Sequence, residues 1–528
     1  MPGLKQPTSG SHGRGHALLV GAGILLSRVF GLIRQRALGH FLGLSDSSDA
    51  FNAAFRIPNF LQNLFGEGVL SASFIPVYAR LRAQGRDGEA ERLARSVFSL
   101  LALVVSGIVL IGVLAAEPLT TVIAPGFDGE KRALTIRMVR LLFPGAGLLA
   151  LSAWCLGVLN SHRRFFLSYS APVVWNLAII VALFWPRASP DAASAAIAAA
   201  VGSVVGSALQ FLVQLPSAIG LIRSGLRPTG ASPDGLATVV RNFGPAFVGR
   251  GVAQVSAFID TLIGSLLGQG AVAGLASAQT IYFLPLSLFG MSISAAELPE
   301  LAADAGKGEE GARRIQARLI VGLRQMAFYV APSAVALLAC GGIITAALFE
   351  TGRFTAEDSR YVWAILVGPA VGLLPATMAR LYNSCFYALH DTRTPLKMSV
   401  IRVVTSTILG YFAAVNLPTM LGVDLRYGAV ALTSVAGAGG WMEFLLLRHR
   451  LESRIGAARL PGGSLARLLL ASFAGAVAAL TADWLLPVEQ PLVRALVTLL
   501  PFGLAYFAAA RGLGLEEADA LMRRFRPS

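Results

Sequence analysis

Charged side chains stand in this sequence where its hydrophobic runs should carry none. Arg28 and Arg34 fall inside the run 17–44, Arg56 and Glu67 inside the run 51–78, and Asp49 just ahead of it. If such runs cross a membrane, each buried charge costs roughly 2.5 to 3.5 kcal/mol on insertion scales, so a charge retained there points to a task. Guanidinium forks match phosphate oxygens in pairs, and a cavity lined by arginines therefore favours phosphate or pyrophosphate. Arg28 and Arg34 are about 120° apart on a straight helix and reach one cavity if the helix bends, which Gly31 between them allows. The alternative for Arg34 and the nearby Arg36 is snorkelling to an interface. Arg56 and Glu67, about three turns apart, share a face and either meet a ligand or pair with the arginines of the first run.

The second half carries fewer such charges. Arg250 and Asp260 lie in the run 236–267, Glu297 ends the run 272–301, and Arg380 lies one turn before Asn383 in the run 361–389. Asp260 with Thr261 offers oxygens to a monovalent cation, or Asp260 neutralises Arg250, the reading the residues favour slightly. A catalytic constellation is not visible. His12, His16, His40, His162, His390 and His449 fall in tails or near run ends, and the three cysteines are too far apart for a metal or disulfide framework. No Walker loop is present, so ATP bound to this chain is not the expected driving force. An embedded transferase using Asp46 and Asp49 is the enzymatic alternative; the main expectation is a transporter without catalytic residues, metal or organic cofactor.

The elements that must position these residues are membrane helices. The chain of 528 residues is 55% hydrophobic and 14% charged, whereas soluble domains carry about 25% charged residues. A net charge of +15 spread between apolar runs fits basic cytoplasmic loops, not nucleic-acid binding. Fourteen runs are long enough to span, and alternate loops hold roughly 25 and about six Lys and Arg, which puts both termini in the cytoplasm. At an offset of 223 residues, Ser71-Ala72, Pro76, Ala79, Asn160-Ser161 and Pro172 recur as Ser294-Ala295, Pro299, Ala302, Asn383-Ser384 and Pro395. Arg250 falls within one residue of the counterpart of Arg28. A repeat of six spans re-enters the membrane in the same direction, the parallel arrangement of carriers that rock two halves about a central site. The expected fold is therefore all-α: a tail 1–16, an N-lobe 17–226 with six helices, a C-lobe 227–450 with six, a basic linker 451–463, two further helices in 464–511 and a cytoplasmic tail 512–528.

The blocks SRVFGLIRQRALGHFLG and SDAFNAAFRIPNFLQNLFGEGVLSASFIPVYA, APGF at 124–127, QLP at 214–216, GPA at 244–246, GRFT at 352–355 and FYALHDTRTP at 386–395 resemble the MurJ (MviN) family, lipid II flippases of the multidrug, oligosaccharidyl-lipid and polysaccharide exporter superfamily. The resemblance implies alternating access in the bacterial cytoplasmic (inner) membrane, with lipid II or a related undecaprenyl-pyrophosphate lipid as partner and the cell-wall synthesis machinery as a further one. It implies substrate binding by Arg28, Arg34 and Arg380, to which the residues themselves add Arg56 and Arg250. Asp49 and Glu67 become cavity or gating acids, and Asp260 with Thr261 resembles an ion site, leaving Na+ or the membrane potential as the coupling source. Two departures stand out: the family usually places cavity arginines near Gln62 and about Thr280. Arg250 is the candidate replacement. If neither it nor Arg56 faces the cavity, the alternative is export of another polyprenyl-pyrophosphate-linked oligosaccharide; a multidrug antiporter should line its cavity with acids instead.

Overall fold

The hydrophobic runs are largely helical in the computed structural model, which describes residues 10–65, 70, 73–185, 191–222, 233–305 and 308–525, and the run 51–78 is divided between two helices. Eleven helices among the described residues are long and apolar enough to cross a membrane. The runs 17–44, 51–78 and 236–267, which are not among these eleven, lie on the helices Gly10–Leu42, Asp46–Phe65 with Ile75–Ala83, and Pro233–Ser265, and bear most of the anomalous charges. Outward side chains such as Leu103, Leu114 and Leu504, each more than 70% exposed, face what would be lipid. One isolated bridge, Thr351 to Phe354, is the sole β pairing among the described residues.

The chain divides into two compact units, Met1–Ser265 and Leu266–Ser528. Unit 1 holds α1 (Gly10–Leu42), α2 (Asp46–Phe65), α3 (Ile75–Ala83), α4 (Asp87–Leu114), α5 (Ala116–Ile123), α6 (Gly129–Ser161), α7 (Phe165–Leu183), α8 (Ala192–Gly220) and α9 (Pro233–Ser265). Its limit falls one span beyond the lobe boundary drawn from the repeat, because α9 packs on α2, α3, α4 and α5. The repeat records sequence symmetry and the unit records packing. Lipid gives helices no hydrophobic reason to associate, so close approach depends on small residues. A Cβ at Gly202 would stand 2.6 Å from the Cβ of Ala182, and one at Gly206 would stand 2.9 Å from the carbonyl of Trp175, so α7 and α8 meet along a Gly-xxx-Gly stripe.

Unit 2 holds α10 (Ala271–Pro285), a π-helical turn Leu286–Met291, α11 (Ser292–Asp304), α12 (Gly308–Phe349), α13 (Ala356–Ala388), α14 (Arg393–Leu421), a 3-10 turn Leu425–Tyr427, α15 (Gly428–Ile455), α16 (Gly462–Leu485), α17 (Pro491–Gly512) and α18 (Glu516–Phe525). Prolines inside these helices explain how they interlock. A proline removes the N–H that would serve the carbonyl four residues earlier, and in lipid that carbonyl needs another donor. Pro332 frees Phe328, whose carbonyl accepts from the Tyr506 hydroxyl at 2.5 Å; Pro369 frees Ile365, which accepts from Thr433 Oγ1 at 2.8 Å; Pro375 frees Val371, which accepts from Trp441 Nε1 at 3.1 Å. These donors tie α17 to α12 and α15 to α13.

The block HDTRTP becomes a turn. His390 takes the left-handed conformation, φ 58°, as Arg163 does after α6 at φ 59°. Asp391 then accepts from the amides of Arg393 and Thr394 at 3.0 and 2.9 Å, from Thr394 Oγ1 at 2.7 Å, and pairs with Arg454 Nη2 at 2.7 Å. The Thr394 hydroxyl, followed by its amide and Arg454, holds the Asp391 carboxyl down at about 2. The turn also shows where the repeat loses register: α6 ends one residue after Asn160, whereas α13 runs on to Ala388, five residues beyond Asn383.

Candidate functional site

In unit 1 an aromatic ladder sets the position of Arg34. Phe51 and Phe55 follow one another along α2 and stack at 5.7 Å, and Phe55 stacks on Trp175 of α7 at 5.8 Å. The Trp175 indole N–H donates to the Ser203 carbonyl of α8 at 3.1 Å, which fixes the ring. The Arg34 guanidinium lies over that ring, 4.8 Å from its centroid. A cation over an indole face gains about 0.5 to 2 kcal/mol, while its in-plane N–H groups are left for other partners. Arg34 Nε is buried without a hydrogen-bond partner, and Arg34 has no ion pair among the described residues. A buried charged donor without a partner inside a span is rare and costly.

Asp46, Asp49 and Asp260 of unit 1 each have a cationic neighbour. Asp49, fully buried, receives Lys131 Nζ at 2.7 Å; the same ammonium meets Asp46 Oδ1 at 2.8 Å and lies 4.3 Å from the centroid of Phe127. Asp49 thus ties α2 to the start of α6. Asp260 of α9 lies within electrostatic reach of Arg56 on α2, and Phe60 meets Phe258 edge-on at 5.0 Å beside them. The expected pairing of Asp260 with Arg250 involves a side chain outside the described residues. Buried Thr261 donates its hydroxyl to the Ala257 carbonyl at 3.1 Å. Arg28 is exposed on α1. Glu67, and the side chains of Gln62 and Arg250, lie outside the described residues.

In unit 2, Arg380 is half-buried on α13 and has no ion pair among the described residues. Asn383 Oδ1, one turn on, is buried without a partner. Thr280, where the family usually has an arginine, donates to the Ala276 carbonyl at 3.0 Å. No group of three or more His, Cys, Asp or Glu that could hold a metal ion occurs among the described residues. The structure therefore brings Arg34 to Trp175 and Phe55, Arg56 to Asp260, and Asp49 to Lys131. It also adds residues the sequence reading passed over: Lys131, Trp175, Arg402 and Glu443. The last two lie inside the apolar runs 398–415 and 427–447, so the criterion that singled out Arg28 would have found them. An apolar groove of about 740 Å³ between α7 and α8, lined by Val174, Val181, Trp185, Ile197 and Val201, offers no charge to a head group.

The family model described as lipid II flippase MurJ matches residues 38–500. The chain belongs to the MurJ family. Among MurJ relatives, the lipid II flippase MurJ of Burkholderia cenocepacia is 32% identical over 447 residues, covering 83% of this chain and 84% of that protein. A probable lipid II flippase MurJ of Rhizobium meliloti is 32% identical over 527 residues, covering 96% and 94%. The fold is that of a solved MurJ in an inward closed conformation, with TM-score 0.76 at 22% identity over 94% of this chain and 99% of that one. An inward-facing multidrug resistance MATE transporter of the MOP superfamily shares it more distantly, with TM-score 0.64 at 16% identity over 83% and 98%.

Proposed function

We propose that this chain is a transporter that carries lipid II from the inner to the outer leaflet of the bacterial cytoplasmic membrane by alternating access, with both termini in the cytoplasm. The observation that supports it, beside the MurJ family match, is Arg34: a guanidinium within a span, seated on Trp175, with a buried N–H and no carboxylate. The pyrophosphate of the lipid supplies an anion for Arg34, aided in unit 1 by Arg28 and Arg56. Asp260 already faces a guanidinium, so the membrane potential is favoured over Na+ at Asp260 and Thr261 as the force that resets the empty carrier. One elementary charge moving through 100 mV is worth about 2.3 kcal/mol, enough to bias such a cycle. The cell-wall synthesis machinery is the proposed protein partner, as consumer of the lipid on the outer face.

Complementation of a flippase-depleted bacterial strain tests the reading. The wild-type chain should restore growth, and Arg28→Ala or Arg34→Ala should abolish it at equal membrane abundance. Full growth with either variant overturns the binding role. The glutamine and threonine at 62 and 280 favour, as the second reading, another polyprenyl-pyrophosphate-linked oligosaccharide. A binding assay that exchanges lipid II for such a lipid separates the two.

A further inference from the structure

The first third of α6 carries two arginines that no acid answers. Arg137 and Arg140 lie one turn apart, about 60° apart around the helix axis, and both are exposed. Neither makes a hydrogen bond or an ion pair among the described residues. The acids near them have other partners: Asp46 and Asp49 of α2 meet Lys131, Glu117 of α5 meets Arg132, and Asp191 caps α8 by accepting from the Ser194 amide at 2.6 Å. Glu130 is exposed two turns before Arg137, at about the distance over which salt screens a charge. The facing part of α4, 97–114, contains no charged residue. Arginines are unexpected at this end of α6, because the connection before it belongs to the sparsely basic loops, the outer side in the proposed orientation.

The depth of the pair follows from how α6 meets α4. A Cβ on Gly112 would overlap the Phe143 ring, so these two residues lie at one level, and α4 ends two residues later at Leu114. Arg140, three residues nearer the start of α6, therefore stands level with the end of α4, and Arg137 lies a further ~4.5 Å out. Along the same stripe of α6 follow Pro144, Leu148 and Leu151, in steps of four, four and three residues. Leu148 and Leu151 join Val109, Leu110 and Val113 of α4 in an apolar groove of about 320 Å³. It opens among lipid-facing side chains, Leu110 and Leu114 being 61% and 73% exposed. Cations at the end of a span, with an apolar furrow running inward from them, are ordered as an anionic membrane lipid orders its head and chain.

We propose that Arg137 and Arg140 form a diphosphate clamp on the outer-leaflet face of unit 1, and that the groove between α4 and α6 takes the prenyl chain of the same lipid. Two guanidiniums without an acid match the two phosphates of a diphosphate, one fork to the oxygens of each. A glycerophospholipid brings one phosphate and two chains to a furrow bounded by a single pair of helices. The inference rests on the flippase reading and adds a station to it: the translocated lipid is held here once its head group has left Arg34, until a reaction on the outer face consumes it. Arginines that merely meet water and bulk lipid behave differently, because they prefer no diphosphate to a phospholipid and are indifferent to the groove.

The full-length protein in phosphatidylcholine nanodiscs is irradiated with farnesyl diphosphate bearing a diazirine at the end of its chain, and the adducts are mapped by peptide mass spectrometry. Label is expected in 105–113 and 147–151, and excess unlabelled farnesyl diphosphate should remove it. Arg137→Gln/Arg140→Gln should cut this label about tenfold or more, the scale of a lost charge-assisted hydrogen bond, while label on α1 and α7 around Arg34 stays. Both side chains are exposed and unbonded, so the double variant keeps its fold. Leu148→Trp, which fills the groove and spares both arginines, should cut the label as well. Label that ignores the double variant, or that phosphatidylglycerol in the nanodisc removes as well as farnesyl diphosphate does, overturns the clamp; equal competition by inorganic pyrophosphate overturns the groove. Absence of label from 105–113 and 147–151 overturns this inference alone, whereas a wild-type chain that fails to restore growth to a flippase-depleted strain sinks the reading beneath it.

Discussion

The two units handle intramembrane charge in parallel and then diverge. Each has an arginine facing an acid, Arg56 with Asp260 in unit 1 and Arg402 with Glu443 in unit 2. Each also has an arginine with no carboxylate among the described residues, Arg34 and Arg380. In unit 1 that arginine rests on an indole held by a backbone carbonyl, so its direction is set before any ligand arrives. In unit 2 it stands half-buried on α13, within electrostatic reach of Tyr282. The difference teaches that an arginine without a carboxylate can be oriented by an aromatic face, as Arg34 is, or stand on its helix without one among the described residues, as Arg380 does.

The comparison breaks most readily at the acids of unit 1. If Asp49 is structural, Lys131→Met leaves a fully buried carboxylate with only part of its compensation and should lower stability by about 3 kcal/mol, read as a fall in melting temperature in detergent. A stable variant with lost transport would make Asp49 part of the carrier cycle instead. Next in size is the seat of Arg34. Trp175→Leu removes the π face and should weaken pyrophosphate-lipid binding about fivefold, roughly 1 kcal/mol, while Trp175→Phe should recover most of it. Equal losses in both variants would show that packing, not the cation on the ring, matters.

The smallest effect marks where the comparison ends, at charges outside the membrane. Asp391 titrates at about 2 when folded against 3.8 ordinarily, so its contribution is complete above pH 4 and is lost as pH falls toward 2. Asp391→Asn should therefore melt a few degrees below wild type at neutral pH, and the gap should close over that acidic window. A gap that persists at pH 2 would mean that geometry, not charge, holds the turn.

Much of this was legible in the sequence. Hydrophobic runs located the helices, and the cost of buried charge singled out Arg28, Arg34, Arg56 and Arg380. Their partners were not legible, because partnership depends on which faces meet. Lys131 reads as one of the few basic residues of an outer loop until α6 brings it to Asp49. Trp175 reads as an apolar residue until α8 approaches closely enough at Gly206 for its ring to be pinned. The unit boundary was hidden for a similar reason: the repeat counts spans, whereas α9 goes where its side chains pack.

The three carbonyls freed by Pro332, Pro369 and Pro375 are all served by residues synthesised later: Tyr506, Thr433 and Trp441. As the chain is made, α12 and α13 therefore enter the bilayer before their donors exist. The gap must be covered meanwhile by water, by lipid head groups or by the insertion machinery. Tyr506, on a helix outside the sequence repeat, and Thr433 and Trp441, on the last span within it, thus complete the hydrogen bonding of helices made before them, and the order of synthesis becomes an order of assembly.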